Sequence, residues 1–197
     1  MLKLPTRRDM KDFIAGLRPY AFVTIVLNQS WRDPGGSRHR LRQVTKDIAL
    51  RLDQGFLKTL YATCHPAKDR FDAVVFPEKL MGNPHAHMAF FGPENASENE
   101  LMRRRRYLLR SLVTDPSSIA ENDLAGSFWD RAHAERARRN NMLQKINRAL
   151  SGHVCSVHSA NGLAWYMTKE YNMYDSEFWF LHEFHSSRTP SDWRFPK

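Results

Sequence analysis

Two histidines separated by a single residue constrain this chain more than any other feature of its sequence. His85 and His87 lie inside an apolar run that follows a Gly-Asn-Pro turn signal. Because consecutive side chains of a strand point to opposite faces, both imidazoles are expected on one face of a strand, with the apolar side chains on the other. Those apolar residues are Ala86, Met88 and Phe90. Neutral imidazole is a common metal ligand, so the pair is either a metal-binding element or two structural histidines on a sheet.

The composition indicates a soluble globular protein with a basic surface. The chain has 197 residues, of which 42% are hydrophobic and 26% charged, as is typical of one domain with a substantial core. It contains 30 Lys and Arg residues against 21 acids, which gives a net charge of +9. Such a surplus favours a polyanionic partner, nucleic acid before a membrane surface, although a basic face that meets only solvent is the alternative.

The sequence also predicts a cytoplasmic protein. Cys64 and Cys155 are far apart and form no Cys-x-x-Cys arrangement, so we expect buried thiols of a reducing compartment. The N-terminal residues lack the apolar block of a signal peptide, and no stretch reaches the roughly 18 apolar residues of a membrane span. We therefore expect no membrane partner.

Periodicity along the chain predicts a mixture of strands and helices. A turn is expected over residues 28–37, and Gly55 is expected to end the helix that precedes it. Strands are predicted over residues 20–27, 56–65, 71–76, 85–91 and 152–157. Helices are predicted over residues 8–17, 38–53, 103–113, 128–150 and 163–174, with Ser159 or Asn161 as the cap of the last one.

A basic helical segment over residues 93–151 separates the His-x-His run from the last predicted strand. Residues 101–150 contain 11 basic and 5 acidic side chains, so much of the net charge is concentrated there. A surface that contacts nucleic-acid phosphates is one interpretation, and a solvated helix face is the other. The candidate phosphate ligands are Arg103, Arg104, Arg105, Arg106, Arg138 and Arg139. The tail, residues 175–197, begins with a dense group of aromatic residues that we expect to pack on the body of the domain.

The last predicted helix carries a tyrosine and a lysine that are neighbours on its surface. Tyr166 and Lys169 are three residues apart, close to a core-facing stripe that includes Tyr171 and Tyr174. Phenol is a poor nucleophile at its unperturbed pKa of about 10, and a nearby cation or metal ion favours the more reactive phenolate. Tyr166 is therefore a candidate nucleophile, while an unremarkable surface pair is the alternative.

Three segments together resemble the motifs of the HUH-type single-strand endonucleases. Residues 22–28, Phe-Val-Thr-Ile-Val-Leu-Asn, resemble the first motif, and His85-Ala-His87 resembles the second. Tyr166-Met-Thr-Lys169 resembles the third, Tyr-x-x-Lys. The order of the motifs and of the predicted elements also fits, and the resemblance covers about residues 20–92 and 152–174.

The resemblance implies an α+β fold with a central antiparallel sheet of about five strands and flanking helices, here in one domain over residues 1–197 with the helical insertion at 93–151. It implies that His85, His87 and a third residue bind one Mg²⁺ or Mn²⁺, which polarises a phosphate as a Lewis acid. Glu78 is the expected third ligand and Asp72 its rival. Tyr166 is then the nucleophile, and Lys169 helps to orient the metal and the substrate.

The implied activity is nicking and joining of single-stranded DNA through a 5′-phosphotyrosine intermediate. We expect a rolling-circle replication initiator of a plasmid or phage-like element, acting at an origin or hairpin. No Gly-x-x-x-x-Gly-Lys-Ser/Thr loop occurs, so unwinding is expected from a separate helicase. A transposase or mobilisation relaxase has the same chemistry. Two different classes also fit the residues: a non-catalytic basic DNA-binding protein, and a metal-dependent phosphodiesterase, on RNA for example, that uses water as its nucleophile.

Overall fold

A computed structural model describes residues 6–27, 33–59, 66, 69–93, 95–112, 142–146, 150–169, 171 and 177–181. The predicted helix over 128–150 falls mostly outside these ranges, as do Cys64, Arg138, Arg139 and Tyr174. Among the described helices, none is long and apolar enough to cross a membrane.

The described strands form one five-stranded sheet, and every neighbouring pair is antiparallel. Its order is β4-β1-β3-β2-β5. The strands are β1 (Ala21–Leu27), β2 (Asp72–Glu78), β3 (His85–Phe91), β4 (Leu150–Ser156) and β5 (Trp179–Phe180). The predicted α+β class is therefore confirmed, and the His-x-His run is a central strand with the predicted bounds.

Three of the described helices begin at recognisable caps. Thr6 and Asp9 form a reciprocal capping box at the first helix, Asp33 caps the second before a proline at its first position, and Ser159 caps the last. These helices are α1 (Arg7–Gly16), α2 (Pro34–Leu57), α3 (Glu98–Leu112), α4 (Met142–Ile146) and α5 (Ala160–Met167).

The sheet is covered on both sides, which gives three layers. Side chains such as Val23, Ile25 and Met88 pack against α2, α3 and α4, and we call this side the α2 face. Side chains such as Val74 and Ala89 pack against α1 and α5 on the α5 face. The odd residues of β3 lie on the α5 face, so His85 and His87 share it as predicted.

The second helix is longer than its apolar periodicity predicts. Residues 34–37, expected in a turn, are helical because Asp33 accepts from the N–H groups of Gly35 and Gly36. Gly55 does not end the helix. It lies within α2, where its missing side chain leaves room for the Tyr107 hydroxyl, and the helix ends at Leu57 instead. Residues 56 and 57 are therefore not the start of a strand.

Three other boundaries also differ from the prediction. β2 continues past Phe76 through Pro77, which is tolerated because β5 pairs only with Val74 and Val75 and leaves this end of β2 at the sheet edge. Residue 150 begins β4 and does not end a helix. The last helix ends at residue 167, and the hydroxyl of Thr168 donates a hydrogen bond to the Ala164 carbonyl.

The aromatic tail packs on the body as far as the structure describes it. Trp179 and Leu181 are buried on the α2 face, while Phe178 and Phe180 lie on the α5 face. Cys155 is half-buried, not buried as predicted, because it lies on the strand at the other edge of the sheet.

Candidate metal centre and tyrosine site

Strand register brings the three predicted metal ligands together on the α5 face. Glu78 at the end of β2 pairs with His85 at the start of β3, and His87 follows two residues later on the same face. The Nε2 atoms of His85 and His87 lie 3.6 and 3.4 Å from Glu78 Oε2. One ligand atom from each residue lies within 4.8 Å of the others, so the group can hold a metal ion.

Two of the three ligand residues, Glu78 and His87, are buried, and His85 is half-buried. Glu78 is 5% exposed and His87 is 2% exposed. Within the described part of the chain, both carboxylate oxygens of Glu78 and the Nε2 atom of His87 make no hydrogen bond. An unpaired buried polar group costs roughly 1–3 kcal/mol, and more when it is charged. A cation bound among these atoms would offset that cost, so the residues present fit a metal ion.

The Nδ1 atom of each imidazole is within hydrogen-bond distance of a neighbouring residue, which fixes the orientation of the ring. His85 Nδ1 lies 3.2 Å from the Asn83 carbonyl oxygen, and His87 Nδ1 lies 3.0 Å from Thr24 Oγ1. A carbonyl only accepts, so His85 donates from Nδ1 to Asn83, and its Nε2 atom is the one that faces Glu78. Metal-binding histidines usually have such a partner. Sequence reasoning missed Thr24, since its role depends on the pairing of β1 with β3.

The tyrosine of α5 stands directly beside this group. The Tyr166 ring packs edge-on to His87, with ring centroids 5.2 Å apart, and to Phe22 at 5.8 Å. Tyr166 is 39% exposed, so it touches the buried cluster and solvent at once. The predicted nucleophile therefore lies at the boundary between the candidate metal centre and the surface.

Lys169 lies close to both Tyr166 and the Glu78 carboxylate. Because α5 ends at Met167, Lys169 lies in the following turn and not on the helix as predicted. Its Nζ atom is 3.5 Å from Glu78 Oε2 and 4.2 Å from the centroid of the Tyr166 ring. The ammonium group is thus placed to influence both the carboxylate and the phenol.

The charges around Glu78 keep it ionised. Burial acts to raise the pKa of its carboxyl group, but the two neighbouring imidazoles and the Lys169 ammonium outweigh burial, so the pKa lies well below its usual value. A carboxylate and two imidazoles form a donor set that suits several divalent first-row metals, Mn²⁺ among them. The structure therefore supports a metal site without fixing the identity of the metal.

Two recesses flank the site. One, of about 350 Å³, is lined by residues that include Phe22, His158, Ser159 and Tyr166. The other, of about 280 Å³, includes Glu78 in its lining. A ligand in the first recess would contact Tyr166, and a ligand in the second would contact Glu78.

The rival ligand Asp72 lies at the opposite end of β2. It is six residues from Glu78, which corresponds to roughly 20 Å along a strand. Its carboxylate accepts a hydrogen bond from the N–H group of Ala73. Asp72 is therefore too far away to bind the same ion as His85 and His87.

The arginine run of α3 lies on the other side of the sheet from this site. Arg104 is buried and bonds to Glu100 and to the backbone carbonyls of Asp69 and Arg70, so its guanidinium is occupied within the protein. Arg103 and Arg106 are exposed, and Arg105 is half-buried. The structure thus separates the predicted phosphate ligands of this helix from the tyrosine.

The second tyrosine near the C-terminal end of α5 has a structural environment. Tyr171 packs against the core of the α5 face, with its ring edge-on to Phe76. Burial raises the pKa of its hydroxyl, and the charge of Asp9 adds to this effect. Tyr171 is therefore a poorer source of phenolate than its unperturbed pKa implies, and Tyr166 is the better candidate nucleophile.

Comparison of the chain with protein-family models, with curated proteins and with solved structures finds no match.

Proposed function

We propose that this protein is an HUH-type endonuclease that nicks and rejoins single-stranded DNA through a covalent bond to Tyr166. The observation that carries the proposal is the convergence of Tyr166 and Lys169 on the metal-capable group. These two residues lie more than 70 positions beyond the histidines in the chain, yet one ring contacts His87 and the lysine reaches Glu78. A purely structural histidine pair gives no reason for that convergence.

The residues of the site divide the work of a transesterification. Mg²⁺ or Mn²⁺ held by Glu78, His85 and His87 would polarise the scissile phosphate as a Lewis acid. The Tyr166 oxygen attacks the phosphorus, a new O–P bond forms, and the bond to the 3′ oxygen breaks. The phenolic proton is lost to solvent, and the departing 3′ oxygen takes up a proton from solvent to become the free 3′ hydroxyl. Lys169 stabilises the phenolate by its charge.

The reaction exchanges one phosphodiester bond for another of similar energy, so it is readily reversible. A phosphodiester to tyrosine replaces a phosphodiester to a sugar, so a 3′ hydroxyl that returns to the site restores the strand without another source of energy. This chemistry suits initiation and termination of rolling-circle replication at a single-stranded origin or hairpin. A separate helicase would supply unwinding in that case. A transposase or mobilisation relaxase would use the same residues.

The experiment that tests this proposal seeks the covalent intermediate. Purified protein, Mn²⁺ and a broad pool of single-stranded oligonucleotides labelled at either the 5′ or the 3′ end are combined and separated on a denaturing gel. We expect the 3′ label to migrate with the protein, because the tyrosine retains the 5′ phosphate of the downstream fragment. Tyr166→Phe should lose the adduct entirely, whereas Tyr171→Phe, the matched control, should retain it.

Two further outcomes of the same experiment would point to a different function. Cleavage that survives Tyr166→Phe but disappears in His87→Ala would establish a metal-dependent phosphodiesterase with water as its nucleophile. Binding without cleavage or adduct, insensitive to metal, would establish a non-catalytic basic DNA-binding protein. Either result would overturn the tyrosine mechanism.

A further inference from the structure

A third cavity, of about 550 Å³, lies between α2, α3 and α4. These helices cover the α2 face, so the cavity is separated by the sheet from the candidate metal centre. Its volume is within the range of ordinary ligand sites. The lining residues are Arg51, Gln54, Gly55, Lys58, Thr59, Tyr107, Arg110, Ser111, Met142 and Lys145.

The lining of this cavity is strongly cationic. Four of the described lining residues are Lys or Arg and none of them is acidic. Arg51, Lys58 and Lys145 are exposed, and the ion pairs between described residues involve none of these three side chains. The cavity therefore concentrates positive charge, as an anion site does.

Helix polarity accounts for only part of this charge. Lys58 follows the C-terminal end of α2, and Arg110 lies in the last turn of α3, where cations interact favourably with the helix dipole. Each helix end carries a partial charge of about −0.5, so two ends offset roughly one of the four cations. A clear positive excess remains for a ligand from outside the chain.

The construction of the cavity favours an extended phosphate backbone over a free nucleotide. Nucleotide phosphates are usually held by the backbone N–H groups of a glycine-rich loop or a helix N-terminus. Here α2 and α3 bring their C-terminal ends to the cavity, and the positive charge comes from flexible exposed side chains. Such side chains are typical ligands of nucleic-acid phosphates.

We infer that this cavity is a second, non-catalytic binding site for the phosphates of single-stranded DNA. The choice of DNA as the source of these phosphates rests on the proposed function, while the anion site itself rests on the cavity alone. The site would hold a part of the strand that does not reach Tyr166. A strand long enough to reach both faces would then bind more tightly than one that reaches the tyrosine only.

The test removes three of the four exposed charges without altering side-chain length greatly. The variant is Arg51→Gln/Lys58→Gln/Lys145→Gln, and the matched control, Arg7→Gln/Arg8→Gln/Lys46→Gln, removes three exposed charges elsewhere. Binding of long, labelled, mixed-sequence single-stranded DNA is measured by fluorescence anisotropy in EDTA over a series of KCl concentrations. If three phosphate contacts are lost, the slope of log K against log salt should fall by about 2. The affinity for this DNA near 0.1 M salt should fall by about tenfold or more.

The control defines the result that overturns the inference. If both triple variants change the slope equally, the cavity is only part of a general basic surface. A second arm titrates ATP: saturable binding that the cavity variant abolishes, together with an unchanged DNA slope, would make this a nucleotide site and would also overturn the inference.

Adduct formation on a short oligonucleotide is scored separately. If the cavity variant and the control variant differ in salt slope while the wild type forms no adduct, the phosphate site is sustained and the catalytic proposal is rejected. If the two variants have the same salt slope while Tyr166 forms its adduct, the phosphate site is rejected and the catalytic proposal is sustained. The two failures are therefore distinguishable.

Discussion

The two faces of the sheet hold their buried charges in different ways. On the α2 face, the buried Arg104 is surrounded by hydrogen-bond acceptors from its own chain. On the α5 face, the oxygens of Glu78 and the Nε2 atom of His87 converge without a hydrogen bond to any residue that the structure describes. A buried charge that is satisfied internally serves stability, whereas one that is left unsatisfied stores a capacity to bind a ligand.

Arg104 illustrates the first arrangement. Its Nε and Nη1 atoms donate at 2.8 Å to Glu100 and to the Arg70 carbonyl, and Nη2 donates at 3.1 Å to the Asp69 carbonyl. The guanidinium also lies over the rings of Phe56 and Phe71. One side chain thus joins α3, the end of α2 and the segment that enters β2.

Arg104→Ala should have the largest effect on stability. It would leave buried acceptors without a donor and remove packing from two aromatic rings, and we expect a loss of roughly 3–5 kcal/mol in the free energy of unfolding. Arg103→Ala is the matched control: its side chain is 64% exposed, so its pair with Glu100 is worth about 0–1 kcal/mol. Urea denaturation measures both. A loss in Arg104→Ala no larger than in the control would mean that the internal bonds of Arg104 contribute little.

The contrast between these arginines shows what the sequence could and could not reveal. In the run of four arginines, Arg104 alone lies four residues after Glu100 and four before Leu108, on the stripe that packs against the sheet. This signal is present in the sequence, but the run of identical residues obscured it. Sequence reasoning grouped all four as phosphate ligands, although only the packing of α3 decides which arginine turns inward.

The candidate site was more predictable because its geometry is local. Alternation within β3 is enough to place His85 and His87 together. A separation of three residues is enough to keep Tyr166 and Lys169 close, although Lys169 lies in the turn after α5 and not on the helix. The position of Thr24 opposite His87 depends on pairing between strands that are more than 60 residues apart. The edge strand β5 is only two residues long and is defined by its partner, so no periodicity could identify it.

Asp53 sharpens the comparison through its pH dependence. It is fully buried on α2 and accepts a hydrogen bond from the Phe71 N–H group at 2.7 Å. Burial raises its pKa from 3.8 to about 7, although that hydrogen bond acts in the opposite direction. The folded state therefore binds a proton that the unfolded state has released, and stability should fall as the pH rises from about 4 to about 7.

Asp53→Asn should remove this contribution, since the amide stays neutral and still accepts from Phe71. Its free energy of unfolding, relative to wild type, should rise by about 3 kcal/mol between pH 4.5 and pH 7. Asp47→Asn, an exposed position on the same helix, is the control and should show no such trend. Denaturation at a series of pH values measures the difference. A flat difference for Asp53→Asn would show that the carboxyl group is already ionised in the fold at low pH.

Glu78→Gln addresses the α5 face, where the expected effect appears only with metal. At a Mn²⁺ concentration about 100 times the dissociation constant, wild type should gain roughly 2.7 kcal/mol in the free energy of unfolding. The variant should lose that gain because an amide is a weak ligand for a hard cation. Without metal its stability should stay close to that of wild type, because the amide costs less to bury than a carboxylate but loses the attraction of the Lys169 ammonium 3.5 Å away.

Glu98→Gln, an exposed acid on α3, is the matched control and should respond to Mn²⁺ as wild type does. Thermal denaturation with Mn²⁺ and with EDTA distinguishes the outcomes. An equal Mn²⁺ response in Glu78→Gln and wild type would place the metal elsewhere. A large loss of stability in EDTA would show that Glu78 is satisfied within the chain, as Arg104 is, and the difference between the two faces would disappear. If the loss appears only when Mn²⁺ is present, the Glu78 carboxylate is maintained for a ligand and not for the fold.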